Sequence, residues 1–501
     1  MILRPWMLLP ASLLLVGACG SDEGDTEQDD GDTSGNSSGE PQVNFVGAPG
    51  VYITQVAIYQ GVKRVQMLEG APQQSTIPLV AGRDTLVRVF YALDAGYDGA
   101  PITGRLQLAG AATPFDAIAP LGGVSTDGNL ASTVNFFIPG ANVGATLDYS
   151  VALLQEAPAG AADNTYAHWP AAGSEVVPVE GPQNTLRLEL APFQYNADGS
   201  GRLPDTSPEM VEKYRLRFLA LYPVSNVEVT VREPTPWSQG IFPNGQGWEA
   251  VGQKTFGFRG QDGAPDDLYY YAIFNPADDI YEFCGQGCLL GVTLLNNQPE
   301  DVGSVQLRLA LGVGFNDVTL DTAAHEIGHA HGRPHAPCGP GLDPQSIDPE
   351  YPYAGGLIGS WGYDITTGQM IDPAVASDIM GYCDTQYISD SNFVNLFKCG
   401  TNVNLAKKSG PMAPPGEYEL LSIDGERARW GQVVHRGLPI AGDVVDVALR
   451  GEDGHWRGSQ GRYVRFDHLP GGWLFVPRAA GTSRVVYADF VVDGARMIAE
   501  R

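Results

Sequence analysis

Residues 325–335 read His325-Glu326-Ile327-Gly328-His329-Ala330-His331-Gly332-Arg333-Pro334-His335, and this stretch decides the fold and chemistry of the region around it. On a helix, His325 and His329 are one turn apart and present both imidazoles on the same face. Two neutral imidazoles so arranged supply half of a tetrahedral zinc site. Glu326 projects about 100° around the helix from His325, beside the metal. A carboxylate there can take a proton from water and return it to a leaving group.

The end of this helix is predicted at Gly332, because glycine adopts the left-handed backbone that terminates helices. Pro334 prevents the helix from continuing. The chain can then turn and bring His335 back as a third ligand, which leaves a fourth position open, as in catalytic zinc sites. His331 lies about 200° around the helix from His329, so no metal role is assigned to it.

The pattern His325-Glu326-x-x-His329-x-x-Gly332-x-x-His335 resembles the extended zinc motif of the metzincin clan of metallopeptidases. The resemblance implies a methionine turn beneath the zinc, for which Met380, within residues 377–383, is the candidate. By likeness to the astacin and serralysin branches, it also implies that Tyr382 approaches the zinc and stabilises the transition state. Ala336 stands where several families carry a characteristic residue of their own, so the branch is left unassigned.

The resemblance covers roughly residues 185–410 and implies an α+β metzincin-like catalytic domain, with a mixed twisted sheet and a zinc-binding helix. Hydrophobic periodicity predicts its elements: strands at 186–190, 227–231, 269–274 and 305–309, and helices at 210–222, 317–332 and 389–397. Val305 to Leu309 is the candidate for an edge strand that pairs with an extended peptide.

All-β domains are predicted on both sides of this region. Residues 43–180 contain short alternating runs separated by Gly, Pro and Asp, which favours a β-sandwich-like domain. Strand-like runs return in residues 412–501 and predict a small C-terminal β domain without an evident site. The isolated His168 is predicted to be a packing or surface residue.

The N-terminal segment has the features of an export and anchoring signal. Residues 1–18 combine Arg4 with a short apolar run, as a secretory signal peptide does. The sequence Val-Gly-Ala-Cys ending at Cys19 resembles the lipobox of bacterial lipoproteins, although an ordinary signal peptide is the alternative. Residues 19–42 are rich in acids, Gly and Ser, which predicts a disordered tether. The expected location is therefore the bacterial cell envelope, outside the cytoplasm, with a lipid anchor in the membrane.

The five remaining cysteines are Cys284, Cys288, Cys338, Cys383 and Cys399. Two bridges among five thiols allow fifteen pairings, and the sequence does not choose among them. Position suggests Cys338–Cys383, which would pin the two zinc-bearing segments together, and Cys284–Cys288, which would close a small loop. Cys399 is then left over.

The chain has a formal net charge of −28, which argues against a nucleic-acid partner. Residues 262–390 contain 19 acidic residues against two arginines. Two interpretations follow: a cleft that prefers basic substrates, or structural calcium held by carboxylates such as Asp343, Asp348 and Asp364.

These observations predict a zinc-dependent endopeptidase that hydrolyses extracellular or envelope proteins, with zinc on the three histidines and Glu326 as general base. One alternative is a surface-anchored adhesin or binding protein with a vestigial zinc site. The intact Glu326, Gly332 and Met380 count against it. A second alternative is a zinc hydrolase that acts on a substrate other than protein.

Overall fold

The computed structural model describes residues 44–180, 184–285, 287–295, 305–344, 346–406, 416–425, 427–436, 442–478 and 483–501. The predicted signal peptide, the lipidation residue Cys19 and the acidic tether lie outside the described residues. Within the described part of the chain, helices that are both long and apolar enough to cross a bilayer are absent.

The N-terminal region consists of two antiparallel sheets that face each other across one apolar core. One sheet has the order β1-β9-β6-β7, with β10 and β11 also paired to β9, and the other has the order β4-β3-β2-β5-β8. The strands are β1 (Asn44–Gly47), β2 (Val51–Tyr59), β3 (Lys63–Leu68), β4 (Ala71–Pro72), β5 (Thr85–Leu93), β6 (Ile102–Leu108), β7 (Phe115–Ala119), β8 (Val134–Ile138), β9 (Thr146–Ala157), β10 (His168–Trp169) and β11 (Glu175–Pro178).

The central region alternates strands and helices before it passes into a long irregular segment and a last helix. Its elements are β12 (Thr185–Tyr195), α1 (Pro208–Leu221), β13 (Asn226–Val231), β14 (Thr235–Trp237), α2 (Trp248–Asp262), β15 (Leu268–Phe274), α3 (Ile280–Cys284), β16 (Gly291–Thr293), β17 (Leu309–Val313), α4 (Val318–Ala330), β18 (Gly362–Asp364), β19 (Gln369–Ile371), β20 (Ser377–Asp378), β21 (Gln386–Tyr387) and α5 (Asp390–Ala406).

The central sheet has the order β13-β12-β15-β17-β16, and β14 also pairs with β12. All of its pairings are parallel except that of β16, which runs antiparallel to β17 at the edge. Helices α1 and α4 share one core with the sheet. This core includes Phe218 of α1, Ile327 of α4 and Leu188 of β12. Helix α2 belongs to a second core with Leu311 and other residues of the sheet. The sheet is thus buried on both faces, as parallel sheets require.

The predicted edge strand at Val305 to Leu309 was wrong. Val305–Leu307 is a short 3-10 helix, and the strand begins only at Leu309. The Arg308 side chain is buried and donates to the backbone carbonyl of Asp266, so the alternation of apolar and polar residues does not mark an exposed strand. The edge of the sheet is formed by Gly291–Thr293 instead.

Helix α2 is an element that the sequence patterns did not indicate. Gly252, Gly257 and Gly260 interrupt its apolar spacing, and glycine is a poor helix former. Gly252 faces the indole of Trp473, where a Cβ would make an ordinary van der Waals contact. Helix α5 also continues to Ala406, beyond its predicted end.

The C-terminal region is a seven-stranded antiparallel sheet with the order β23-β22-β26-β25-β24-β27-β28. Its strands are β22 (Gly416–Ile423), β23 (Ala428–Arg436), β24 (Asp443–Gly451), β25 (Trp456–Arg465), β26 (Gly472–Pro477), β27 (Val485–Val492) and β28 (Ala495–Glu500). One set of side chains forms a core within this region. Trp473 and Phe475 instead join the second core of the central region, where the Phe256 ring of α2 lies 5.2 Å from the indole of Trp473.

The N-terminal region is joined to the central one by a buried cation. The guanidinium of Arg83 donates to the carbonyls of Leu219, at 2.7 Å, and Val224, at 2.6 Å, at the end of α1. The Leu219 carbonyl, in the last turn of α1, would otherwise lack a helical partner, and Val224 follows the helix. Burial lowers the pKa of Arg83 to about 10, so the side chain stays charged at neutral pH.

We predict that Phe256→Ala lowers the free energy of unfolding by about 3 to 5 kcal/mol, because truncating a buried aromatic side chain leaves a cavity. Urea denaturation followed by tryptophan fluorescence measures the effect. The matched control is Tyr281→Ala, whose side chain is 86% exposed and should change stability by less than about 0.5 kcal/mol. Equal stability of the two variants would contradict a core shared by α2 and the C-terminal sheet.

Candidate metal centre

Helix α4 carries His325 and His329 one turn apart and ends directly after them. Its last turn closes with two hydrogen bonds, from the Gly332 amide to the His329 carbonyl at 2.8 Å and from the Arg333 amide to the Gly328 carbonyl at 3.0 Å. This is a Schellman cap, and Gly332 has the left-handed φ of +76° that the cap needs. The chain therefore reverses at once toward His335.

The three motif histidines converge on one point. The Nε2 atom of His329 lies 3.0 Å from Nε2 of His325 and 3.1 Å from Nε2 of His335. All three side chains are buried. A tetrahedral zinc ion with Zn–N bonds of about 2.0–2.1 Å holds its nitrogens about 3.3 Å apart, so the cluster fits a zinc site.

The other ring nitrogen of each histidine is fixed by an oxygen. His325 Nδ1 donates to the Ile379 carbonyl at 2.7 Å, and His329 Nδ1 donates to the Arg333 carbonyl at 2.6 Å. His335 Nδ1 lies 2.9 Å from the Ser346 hydroxyl, which itself donates to a backbone carbonyl and therefore accepts from the ring. Each Nδ1 thus carries the hydrogen, and each Nε2 lone pair is directed at the centre, as second-shell contacts at metal sites require.

The protonation of these histidines agrees with metal binding. Burial, followed by the neighbouring imidazoles, lowers the pKa of His325 to about 3. Burial likewise lowers the pKa of His335 to about 4 and depresses that of His329. All three rings are therefore neutral near pH 7, and the neutral imidazole is the form that binds a metal.

The methionine turn supports the site from below. Met380 is fully buried, and a Cβ on Gly328 of α4 would collide with its Sδ, so the helix needs glycine where it crosses the turn. The Ala336 amide donates to the Met380 carbonyl at 3.0 Å and holds the segment of the third histidine. The buried carboxylate of Asp378 accepts from the Met380 and Ser389 amides, both at 2.8 Å, which ties the turn to the start of α5.

Glu326 lies beside the three histidines and faces the edge strand β16. Its side chain is 2% exposed. Burial, and next the charge of Asp467, raise the pKa of its carboxyl well above the usual range. A Cβ on Gly291 would come within 2.7 Å of Glu326 Cδ, so glycine at this position of β16 leaves the space that the carboxylate occupies.

Tyr382 borders the cluster on its open side. Its hydroxyl lies 3.0 Å from His335 Nε2 and also contacts His468. Burial raises the pKa of Tyr382, so the phenol keeps its proton. The Tyr382 amide donates to the Cys338 carbonyl at 2.7 Å, which fixes the start of the side chain.

The structure contains two disulfides, Cys338–Cys383 and Cys284–Cys288, and Cys399 is a buried free thiol. Both bonds are those suggested by position along the chain. The first joins the segment after the third histidine to the segment after Met380, next to Tyr382. The second closes the loop that leads into β16.

Two residues of the site come from the C-terminal sheet, in which the sequence showed no site. The loop between β25 and β26 places His468 Nε2 3.3 Å from Glu326 Oε1 and 3.0 Å from Asp467 Oδ2. The two carboxylates raise the pKa of His468 against the effect of burial, and His468 lowers that of Asp467 in the same way. The surrounding Phe466-Asp467-His468-Leu469-Pro470-Gly471 reads as an ordinary turn. Only the packing of the two regions brings it to the site.

A cleft of about 1390 Å³ runs past the histidines and is walled on one side by the C-terminal sheet. Its acidic lining residues are Asp321, Glu326, Asp343, Asp384, Asp443, Asp467 and Asp493. Among its described lining residues, Arg465 is the one lysine or arginine, and it is paired with Asp493. Four of these residues, Asp321, Glu326, Asp343 and Asp384, belong to the acidic stretch noted in the sequence.

The carboxylates proposed for calcium do not converge. Asp348 is paired with Arg333 at 2.9 Å, and Asp364 accepts from the Thr366 amide at 2.8 Å. Within the described part of the chain, the clusters of three or more metal-ligating side chains leave out Asp343, Asp348 and Asp364. Calcium binding by these residues remains a prediction without support from their geometry.

The two histidines to which no metal role was given have other surroundings. His331 stacks on the ring of Tyr269 at 4.4 Å and donates from Nδ1 to the Ile327 carbonyl at 2.8 Å. His168 lies at the surface of the sandwich, 3.0 Å from Asp163 Oδ1.

The geometry thus defines a cluster of three histidines that could hold a metal ion, with a buried carboxylate beside it. Residues 310–398 match the family model of peptidase M66, which is a family of metallopeptidases. The match runs from β17 through helix α4, the third histidine and the methionine turn into α5. The curated proteins contain no match to this chain. The matched segment is similar to a metallopeptidase domain, and its histidine cluster fits a zinc site.

We predict that His329→Ala strongly weakens metal binding and lowers the metal content below one ion per chain, because a buried member of the convergent set is lost. Elemental analysis of the purified protein after equilibration with zinc measures this. The control is His331→Phe, two residues after His329. It keeps an aromatic ring stacked on Tyr269 and should retain one metal ion per chain. Equal metal content in the two variants would mean that the ion sits elsewhere.

Proposed function

We propose that this protein is a zinc-dependent endopeptidase that cleaves proteins outside the cytoplasm. The observation that carries the proposal is the convergence of three neutral imidazoles, with Nε2 atoms 3.0 and 3.1 Å apart, beside the buried carboxylate of Glu326. The match of residues 310–398 to a metallopeptidase family supports the reaction class. We further propose that residues 185–410 form a metzincin-like α+β domain, with the branch left open.

A zinc ion held by His325, His329 and His335 would polarise the scissile carbonyl and lower the pKa of water to about 7. Glu326 accepts the proton of the attacking water and delivers it to the leaving amine. Its raised pKa suits the second step, since the carboxyl can hold the accepted proton until it passes to the leaving amine. Glycine at position 291 leaves room for this carboxylate at the opposite wall.

Tyr382 is proposed to stabilise the oxygen anion that forms at the scissile carbonyl. Its phenol keeps its proton and so remains a hydrogen-bond donor, with the hydroxyl 3.0 Å from His335 Nε2, one of the nitrogens that would hold the metal. A preorganised donor at such a position strengthens its bond as the negative charge develops.

The substrate is proposed to bind as an extended peptide along the edge strand β16. This strand is the antiparallel edge of the central sheet, and Gly291 within it contacts Glu326. Backbone pairing at a sheet edge aligns a peptide without selecting its sequence. For location, we propose the bacterial cell envelope with a lipid on Cys19, on the strength of the sequence pattern at residues 1–19.

We predict that Glu326→Gln retains one zinc per chain but lowers kcat for peptide cleavage by about 10² to 10⁴-fold, because the general base is lost. Zinc content and cleavage of a fluorogenic peptide library, measured on the same samples, test this. The matched control is Glu350→Gln at an exposed position, which should leave both values unchanged. Wild-type turnover in zinc-loaded Glu326→Gln would refute the assigned role.

We predict that the acidic cleft favours substrates with lysine or arginine near the cleaved bond. Asp384→Asn, which removes an exposed charge from the cleft lining, should lower kcat/KM for basic peptides about fivefold and leave neutral peptides unaffected. Asp98→Asn on the sandwich removes the same charge elsewhere and serves as control. The difference should fade in about 1 M salt, since exposed charges are then screened. A preference for acidic peptides would contradict this assignment.

A further inference from the structure

The loop that joins β25 to β26 leaves the C-terminal sheet and lies along the edge of the central sheet. Leu294, next after β16, forms an antiparallel bridge with Phe466. The Leu295 amide donates to the Arg465 carbonyl at 2.8 Å, and the Asp467 amide donates to the Thr293 carbonyl at 3.2 Å. Residues 465–467 thus extend the central sheet by a short strand beyond β16, where an extended peptide would pair.

Asp467 makes this pairing tighter than backbone contact alone. Its Oδ1 accepts from the Thr293 amide at 2.9 Å and from the His468 amide at 2.8 Å. The side chain is fully buried, and Oδ2 lies 3.5 Å from His329 Nε2. One carboxylate therefore fixes the loop to the sheet edge and at the same time orients the following histidine.

His468 reaches the centre on which the three motif histidines converge. Its ring centroid lies 5.0 Å from that of His335, 5.5 Å from that of His325 and 5.7 Å from that of His329. A ligand nitrogen of each of the four rings falls within 4.8 Å of those of the others. Four ligand nitrogens grouped this closely could surround one metal ion once His468 moves the short distance to the about 3.3 Å spacing of a tetrahedral site.

We propose that His468, which gives up its proton when the metal binds, is a fourth metal ligand and that residues 465–468 occupy the substrate site of the same chain. A site closed by four protein ligands has the coordination of a structural zinc, with no position left for water or substrate. The chain described here is then the resting form, and cleavage requires the loop to leave. This inference rests on the proposed peptidase function only in its second half, because the ligand role of His468 concerns metal binding alone.

Release of the loop does not require release of the C-terminal sheet. Trp473 and Phe475 lie fully buried in the core shared with α2, so the sheet stays in place. The loop itself is held by the bonds to Thr293 and Leu295, by its contacts at the histidine cluster, and by the half-buried side chains of Phe466 and Leu469 against this core. Peeling a short edge segment breaks few hydrogen bonds, and local openings of this kind cost less than global unfolding.

The first experiment measures the metal and not catalysis. In full-length protein, His468→Ala should weaken zinc binding about tenfold or more in competition with a chelator. The visible spectrum of the cobalt-substituted protein should change, because a solvent molecule replaces a nitrogen ligand. His455→Ala, at an exposed histidine in the turn between β24 and β25, is the matched control and should leave both readouts unchanged.

The second experiment measures cleavage of the peptide library by the same proteins. His468→Ala should raise kcat/KM about tenfold or more, because both the metal position and the sheet edge become accessible. Asp467→Ala, which keeps the histidine but removes its anchor to Thr293, should raise it less. Circular dichroism checks that each variant is folded, and His468→Asn replaces His468→Ala if the smaller side chain destabilises the loop.

The outcomes separate the two claims. Unchanged zinc affinity and cobalt spectrum in His468→Ala would overturn the ligand assignment. Slower cleavage by a fully metal-loaded His468→Ala would overturn occupation of the substrate site and make His468 part of the reaction machinery. Altered metal binding with no cleavage by any protein in the set would refute the peptidase proposal and still support His468 as a ligand.

Discussion

Three imidazole nitrogens that direct their lone pairs at one point repel one another, and most of the central region serves to hold them there. The protons on Nδ1 are fixed by the carbonyls of Ile379 and Arg333 and by the Ser346 hydroxyl, so the rings cannot turn away. Burial removes the option of relieving the repulsion by protonation. A bound cation is the remaining means of relieving this repulsion, so a metal ion would stabilise the folded cluster.

The need to hold the three histidines in place also explains why several bonds link the segments around the site. Asp378 links the methionine turn to α5 by hydrogen bonds. The Ala336 amide, next to the third histidine, donates to the Met380 carbonyl. The Cys338–Cys383 disulfide repeats this connection covalently. The irregular segment between α4 and α5 has little secondary structure of its own, and these links replace the order that a helix or sheet would give.

Much of the site could be read from the sequence because its residues stand at helical spacing or a few positions apart. His325, His329 and His335 fall within eleven residues, and Met380 and Tyr382 within three. Two features escaped such reasoning. The edge strand is only three residues long. The 3-10 helix before β17 has the apolar-polar alternation of a strand and was therefore predicted as the edge. Asp467 and His468 lie far along the chain and reach the site only because α2 packs against Trp473, a contact between distant residues that local patterns do not encode.

Glycine at three positions lets rigid parts approach closely at the site. At Gly328 the helix meets Met380, at Gly291 the edge strand meets Glu326, and at Gly332 the backbone turns through a conformation that other residues adopt only with strain. Glycine costs entropy on folding, so each position weakens its own element slightly. Helix α4 and strand β16 offset that cost through burial between packed layers. These three glycines thus allow α4, β16 and the turn after α4 to approach closely enough to assemble the histidine cluster and the Glu326 carboxylate.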